Sequence, residues 1–515
     1  MAAVEHWIGN PVSRALLRFV ACHDECGDRL SNAIDQYLGM DGEVCWKCRL
    51  AGKLVGYTLD KSSRIFGVSS EEIKKGLAEP VFKRGLMNVL NGISRYGITR
   101  PQIINAPFLV VWDFTHRCNL ACRHCYQNAQ AALPDELDTT EAKDLIRELA
   151  GAGVVVIAFS GGEPLMRKDF FEVAACAKDY GMYVALASNG TLITPGVARR
   201  LKEAGIDYVE VSIDGKDAAS HDTMRGIDGA FERSVAGIRH CVEEGLYTCI
   251  ATTVTRDNYD EVPAIHELAQ ELKVTRLICF NFIPTGRGVE MAEKDVTPCQ
   301  REELLRFILS RNGPGRFPEV LSTAPQLARV AIQGKDPEGV PVGHFHLGAG
   351  LSGKTRMLAD FIGGCGAGRL YCSIEPQGNV QPCVFMPITV GNVREEPFLA
   401  IWHNAGVLRQ LRDRELLTGS CGSCENKYIC GGCRARAWSY FHDLTRPDPG
   451  CIRNAAIWDE IEREASHTRA WTTPWLWASP SGAGETYLQW EGESAAVTPQ
   501  SGSAPAPAAA SAKTK

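Results

Sequence analysis

Between Phe108 and Phe282 six short apolar runs alternate with helical patterns, and this alternation limits the fold more than any other feature of the chain. The runs are Phe108–Trp112, Val154–Phe159, Tyr183–Ala187, Tyr208–Ile213, Thr248–Val254 and Arg276–Phe282. Each is near-continuously apolar, as strands buried on both faces of a parallel sheet must be. Helices read over Thr139–Leu149, behind a Thr-Thr-Glu cap, and over Asp169–Tyr180 and Pro195–Ala204. Repeated βα units imply either a barrel or an open α/β sheet, with chemistry at the carboxyl ends of the strands.

On either side of this block the texture changes. Residues 1–99 read as a helical segment, with a stripe of Val12, Leu16, Leu17 and Val20 and a capping pattern at Ser69-Ser70-Glu71-Glu72. The α/β block occupies 100–295, a Gly- and Pro-containing linker with a helix 296–355, a Cys-rich domain 356–470, and an Ala/Ser/Pro-rich tail, read as disordered, 471–515. A net charge of −6 without long basic runs disfavours sequence-independent nucleic-acid binding. No signal peptide and no membrane-spanning run is legible, so a cytoplasmic protein is expected.

In a reducing compartment twenty cysteines point to metal rather than disulfides. Cys176, Cys241, Cys249, Cys279 and Cys299 are scattered and read as core or incidental residues, while the other fifteen fall into three groups. Cys118-Asn-Leu-Ala-Cys122-Arg-His-Cys125 follows the first strand. Three thiolates on one loop can bind three irons of a cubane and leave the fourth open, whereas zinc favours four closed ligands. Spacing alone favours iron modestly.

This C-x-x-x-C-x-x-C loop resembles that of the radical S-adenosylmethionine superfamily, and further motifs agree in order. The resemblance implies a partial (βα)6 TIM-type barrel in which Cys118, Cys122 and Cys125 hold a [4Fe–4S] cluster that cleaves S-adenosylmethionine to a 5′-deoxyadenosyl radical. It further implies that Ser160-Gly161-Gly162-Glu163-Pro164 binds the cofactor's amino group, with the glycines allowing close ligand approach. His124 would lie near the adenine. Ser188, Asn189, Ser212 and Asp214 would contact ribose or carboxylate, and Arg225 is either a carboxylate partner or a surface ion pair. The segment Asn281–Gly288 would be a further wall of the cleft.

The C-terminal cysteines resemble the SPASM extension of the same superfamily. That resemblance implies one auxiliary cluster on Cys365, Cys372, Cys383 and Cys433 and a second on Cys421, Cys424, Cys430 and Cys451. Cys430-Gly-Gly-Cys433 is one residue shorter than in many members, and two zinc ribbons are the other reading of the spacing. Cys22, Cys26, Cys45 and Cys48 form two pairs for which zinc, a further iron–sulfur cluster and unligated thiols all remain open.

The extension looks closest to enzymes acting on sirohaem-derived tetrapyrroles and to peptide-modifying enzymes. An oxidoreductase acting on a peptide or tetrapyrrole is expected, supplied with electrons by a ferredoxin or flavodoxin and active only under anaerobic handling. Arg287, Arg369, Arg434 and Arg436 are candidates for meeting substrate carboxylates, and Tyr371 and Tyr428 for proton or hydrogen-atom transfer. The competing classes are a non-catalytic iron–sulfur scaffold and a tRNA-modifying enzyme.

Overall fold

The computed structural model describes residues 11–468, apart from 41, 67–68, 314, 335–338, 343–344 and 349–360. The tail at 471–515 lies outside the described residues, as does part of the linker. The centre of the fold is a ten-stranded sheet. Six strands match the expected runs: β1 (Leu109–Thr115), β2 (Val156–Gly161), β3 (Tyr183–Ser188), β4 (Tyr208–Ser212), β5 (Thr248–Val254) and β6 (Arg276–Asn281). They pair in parallel, in chain order.

Two parallel strands absent from the sequence reading extend this set. β7 (Glu319–Ser322) pairs with β6, and β8 (Tyr371–Ile374) pairs with β1. β8 also carries antiparallel β9 (Asn379–Gln381) and β10 (Gly391–Asn392). The strand order is β10-β9-β8-β1-β2-β3-β4-β5-β6-β7, so the eight parallel strands form an incomplete barrel. The Cys-rich region thus supplies a strand to the sheet beside β1, which leads into the first cysteine loop.

Alternation along β1 separates two environments. Val110, Trp112 and Phe114 face the helical layer, where Trp112, Phe114, Phe159 and Phe170 pack with ring centroids 5.1–6.2 Å apart. Edge-to-face pairs of this kind contribute about 0.5–1.5 kcal/mol each beyond their buried area. Cys249, Ile278 and Leu321 form a separate buried cluster on strands β5, β6 and β7. A register shift between Asp113 and Thr115 loosens the β1–β2 ladder where the cysteine loop departs.

The helix over Thr139–Ala152 is capped by Asp138, not by the threonines. Asp138 accepts from the amides of Thr140 and Glu141, and Glu141 reciprocates. The N-terminal helices are Pro11–Val20, Arg29–Tyr37, Trp46–Phe66, Ser70–Ala78 and Pro80–Tyr96, and the expected capping box at Ser69 and Glu72 is present. Val20 is buried, but Leu16 is exposed, so the first helix presents a narrower apolar face than its sequence suggests. Among the described residues no helix is long and apolar enough to cross a membrane.

Candidate active site

The cysteine loop is held at the carboxyl end of β1 by its own backbone. The amides of Ala121 and Arg123 donate to the carbonyls of Arg225 and Met224, at the end of helix Ala218–Arg225, and the Arg287 amide donates to the Cys125 carbonyl. Beside it run Gly161 and Gly162. A Cβ on Gly162 would stand 2.2 Å from the Arg117 carbonyl oxygen, and one on Gly161 would stand 2.8 Å from that of Thr115. These glycines are therefore required by close approach to the backbone that leads into the cysteine loop, a reason the sequence did not reveal.

Arg225 is buried at this junction. Its Nη2 lies 2.6 Å from Asp214 Oδ2, and its Nη1 lies 3.6 Å from Cys122 Sγ. The surface ion pair considered from sequence is excluded, because the Asp214 carboxylate is fully buried. His124 Nε2 is 3.3 Å from the same oxygen, and burial pushes the imidazole down to about 4, so it is neutral at physiological pH. His124 Nδ1 and Arg225 Nε are buried without hydrogen-bond partners.

Glu163 is also buried. Ser188 Oγ donates to both of its carboxylate oxygens at 3.0–3.1 Å, and the Asn189 amide donates to Oε2 at 2.9 Å. Burial raises this carboxyl to about 7 despite those bonds. Asn189 is fixed by Asn119 from the cysteine loop at 2.8 Å. The loops after β1, β2, β3 and β4 thus meet at one place, bringing together Cys118, Cys122, Cys125, His124, Glu163, Ser188, Asn189, Asp214 and Arg225. Ser212 ends β4 beside Asp214.

Two residues missed in the sequence belong to the same neighbourhood. Tyr126 OH donates to Asp113 Oδ1 at 2.9 Å and is 3.1 Å from Ser160 Oγ. Burial pushes the Asp113 carboxyl well above its ordinary range, against the opposing hydrogen bonds of Tyr126 and Gln127. The period-2 pattern that put Asp113 opposite Trp112 was the available signal.

The donor set fits a cluster with an open iron. Among the described residues, the Cys, His, Asp and Glu donors that converge within 4.8 Å of one another are Asp24, Cys26, Cys45 and Cys48. The barrel and C-terminal cysteines are not among these donors, in keeping with the wider thiolate spacing around a cubane. Burial raises the Cys118 thiol to about 11 and also raises Cys122, and a bound cation would hold them as thiolates.

In the C-terminal region Cys421, Cys424, Cys430 and Cys451 line one cavity. Consecutive left-handed residues Gly431 and Gly432 turn the chain from there to Cys433, which is how the shortened Cys430-Gly-Gly-Cys433 spacing is accommodated. Asp448 accepts from the Cys433 amide at 2.7 Å and from Gln326 Nε2 at 2.6 Å. Cys365, Cys383 and Cys433 share a second cluster of buried residues, where Tyr371 OH is 2.8 Å from Cys383 Sγ.

Cys372 departs from the set proposed for it. It follows Tyr371 on β8, so its side chain points to the opposite face, into the main core with Trp402 and Leu408. Replacing Cys372 by Ala is therefore expected to leave the iron content of the anaerobically purified protein unchanged. Cys383→Ala is expected to lower it by about four irons. Equal losses from both would return Cys372 to the cluster.

The arginines considered for substrate carboxylates separate likewise. Arg369, Arg434 and Arg436 are buried and bonded internally: Arg369 to the Gln102 carbonyl, Arg434 to those of Leu444 and Arg446, and Arg436 to Asn281 and Asp295. Only Arg287 is part-exposed, and it donates to the Ala129 carbonyl. Tyr428 bonds to Glu415 at the surface.

Residues 112–269 match the family model described as the radical SAM superfamily, and residues 365–425 match an iron–sulfur cluster-binding domain. An AdoMet-dependent heme synthase of Methanosarcina barkeri is 40% identical over 68% of this chain and 97% of its own length. A mycofactocin maturase of Mycobacterium tuberculosis is 33% identical over 68% and 84%. Streptococcus suis SuiB bound to its precursor peptide SuiA superposes with a TM-score of 0.57 at 15% identity, covering 82% of this chain and 92% of that one, a likeness of fold.

Proposed function

From the premise that the chain belongs to the radical SAM superfamily, as an enzyme that reductively cleaves S-adenosylmethionine and modifies a peptide or a tetrapyrrole, we propose that the tetrapyrrole is its substrate. The observation that carries this is the 40% identity to a heme synthase across 97% of that relative's length. The pre-heme d1 synthase of Dinoroseobacter shibae, 31% identical over 87% of its length, supports the same class.

The cluster and cofactor, when bound, supply a strongly hydrogen-abstracting carbon radical. Within residues 100–295 we assign Cys118, Cys122 and Cys125 as the protein's ligands to that cluster. Arg225, locked by Asp214, lends positive charge to the Cys122 sulfur. Glu163, oriented by Ser188 and Asn189, would take the cofactor's amino group, Ser188 and Asn189 would reach its ribose or carboxylate, and the neutral His124 would lie near the adenine. The region matched over 365–425 is an iron–sulfur cluster-binding domain that carries auxiliary clusters, and we place the limits of that domain at 356–470. We assign one to Cys365, Cys383 and Cys433 and the other to Cys421, Cys424, Cys430 and Cys451. A ferredoxin or flavodoxin is the electron source we propose.

The test is anaerobic turnover of iron-coproporphyrin III with S-adenosylmethionine and dithionite, followed by chromatography and mass spectrometry. Loss of carboxyl groups from the macrocycle, in step with 5′-deoxyadenosine, is the expected result. Formation of 5′-deoxyadenosine with every tetrapyrrole offered left intact would turn the assignment to a peptide.

A further inference from the structure

The N-terminal segment contains a donor set that the barrel chemistry does not use. Cys26 sits in a tight two-stranded turn, His23–Asp24 against Gly27–Asp28, which leads into helix Arg29–Tyr37 capped by Asp28. Cys45 immediately precedes helix Trp46–Phe66, and Cys48 lies in its first turn. Packing of these two helices brings together sulfurs that are about twenty residues apart in the chain. Ligand atoms of Asp24, Cys26, Cys45 and Cys48 all lie within 4.8 Å of one another, with Cys45 and Cys48 Sγ 3.5 Å apart.

Four donors around one zinc at a Zn–S distance near 2.3 Å stand about 3.8 Å from each other, so this spacing suits a single tetrahedral ion. The neighbours suit it as well. Asn32 Nδ2 bonds the Cys26 carbonyl at 2.9 Å and lies 3.8 Å from Cys48 Sγ. Arg29 holds Asp24 Oδ2 at 2.6 and 3.1 Å, and the Cys26 amide donates to Oδ1 at 2.9 Å, so the carboxylate is oriented from two sides. Such outer contacts fix a ligand's direction, and Arg29 offsets part of the charge of three thiolates and a carboxylate.

We propose that this segment binds one zinc ion through Cys26, Cys45, Cys48 and the carboxylate of Asp24, as a closed structural site. Cys22, grouped with these cysteines from sequence, is exposed and outside the converging set. The site joins the turn to the start of helix Trp46–Phe66. The core it reinforces is small, built on Val20, Leu30, Ala33, Ile34, Ala51, Val55 and Leu77. Small cores of this kind gain most from a metal staple.

The test measures zinc and iron in the full-length, anaerobically purified holoenzyme, with X-ray absorption at the zinc edge. About one zinc per chain is expected, with three sulfur and one oxygen neighbours. Cys45→Ser/Cys48→Ser is expected to lose that zinc while keeping its iron and its 5′-deoxyadenosine yield. Asp24→Asn should release zinc to a chelator about tenfold more readily, and Cys22→Ser should not. Absence of zinc from the wild type overturns the proposal, as does extra iron lost with the Cys45/Cys48 pair. A four-sulfur spectrum with zinc lost from Cys22→Ser and kept by Asp24→Asn overturns the assignment of Asp24.

Discussion

Cys118→Ala/Cys122→Ala/Cys125→Ala is expected to reduce 5′-deoxyadenosine formation by roughly 10³-fold or more, to the uncatalysed background. Of the carboxylates nearest the loop, Glu163 is already engaged by Ser188 and Asn189, and Asp214 by Arg225. Iron should fall by about four per chain, with the C-terminal clusters retained. Far-ultraviolet dichroism should be unchanged, since backbone bonds of Ala121, Arg123 and Cys125 that the substitutions leave intact anchor the loop. A variant that still makes 5′-deoxyadenosine at near wild-type rate would remove these cysteines from the chemistry.

Arg436→Ala is expected to destabilise the protein by about 3–5 kcal/mol, the usual cost of breaking one side of a buried ion-pair network. Arg436 is fully buried. Its Nη2 donates at 2.6 Å to both Asn281 Oδ1 and the Phe282 carbonyl, and its Nε donates to Asp295 at 3.2 Å. Arg301 reaches Asp295 at 2.6 Å and Asn281 at 2.9 Å, and Tyr440 OH reaches Asp295 at 3.2 Å. Asn281 ends β6 and Arg436 follows Cys433, so the network ties the barrel rim to the auxiliary region. Denaturant unfolding under anaerobic conditions measures the loss. A double-mutant cycle with Asp295→Asn should return a coupling above about 1 kcal/mol. A shift below about 1 kcal/mol for Arg436→Ala would mean that the region is held by apolar packing alone.

Much of the barrel was legible because its strands are buried on both faces, and burial leaves short apolar runs whose regular alternation with helical patterns identifies them as strands. β7 and β8 escaped notice for the opposite reason. Glu319–Ser322 and Tyr371–Ile374 are four residues each, and polar or small residues interrupt them, Glu319 and Ser322 in the first and Tyr371, Cys372 and Ser373 in the second. Their place in the sheet depends on partners 43 and 262 residues earlier in the chain, Arg276 and Leu109. The capping box at Ser69 was read correctly because it is closed within four residues, whereas the Thr-Thr-Glu cap was misplaced by one.

The sequence by itself determined the donors: three cysteines on one loop, a Gly-Gly-Glu-Pro turn, and eight more thiols downstream, since ligand chemistry resides in residue type and short spacing. Only the tertiary structure decided which of them converge. It turned Cys372 into the apolar core while leaving Tyr371 against Cys383, because neighbours on a strand face opposite ways. It buried Arg369, Arg434 and Arg436 as internal ties, and it brought Asp24 rather than Cys22 to Cys26, Cys45 and Cys48. An arginine or a thiol reads the same in sequence whether it faces a substrate or a carbonyl, and the packing of distant segments makes that choice.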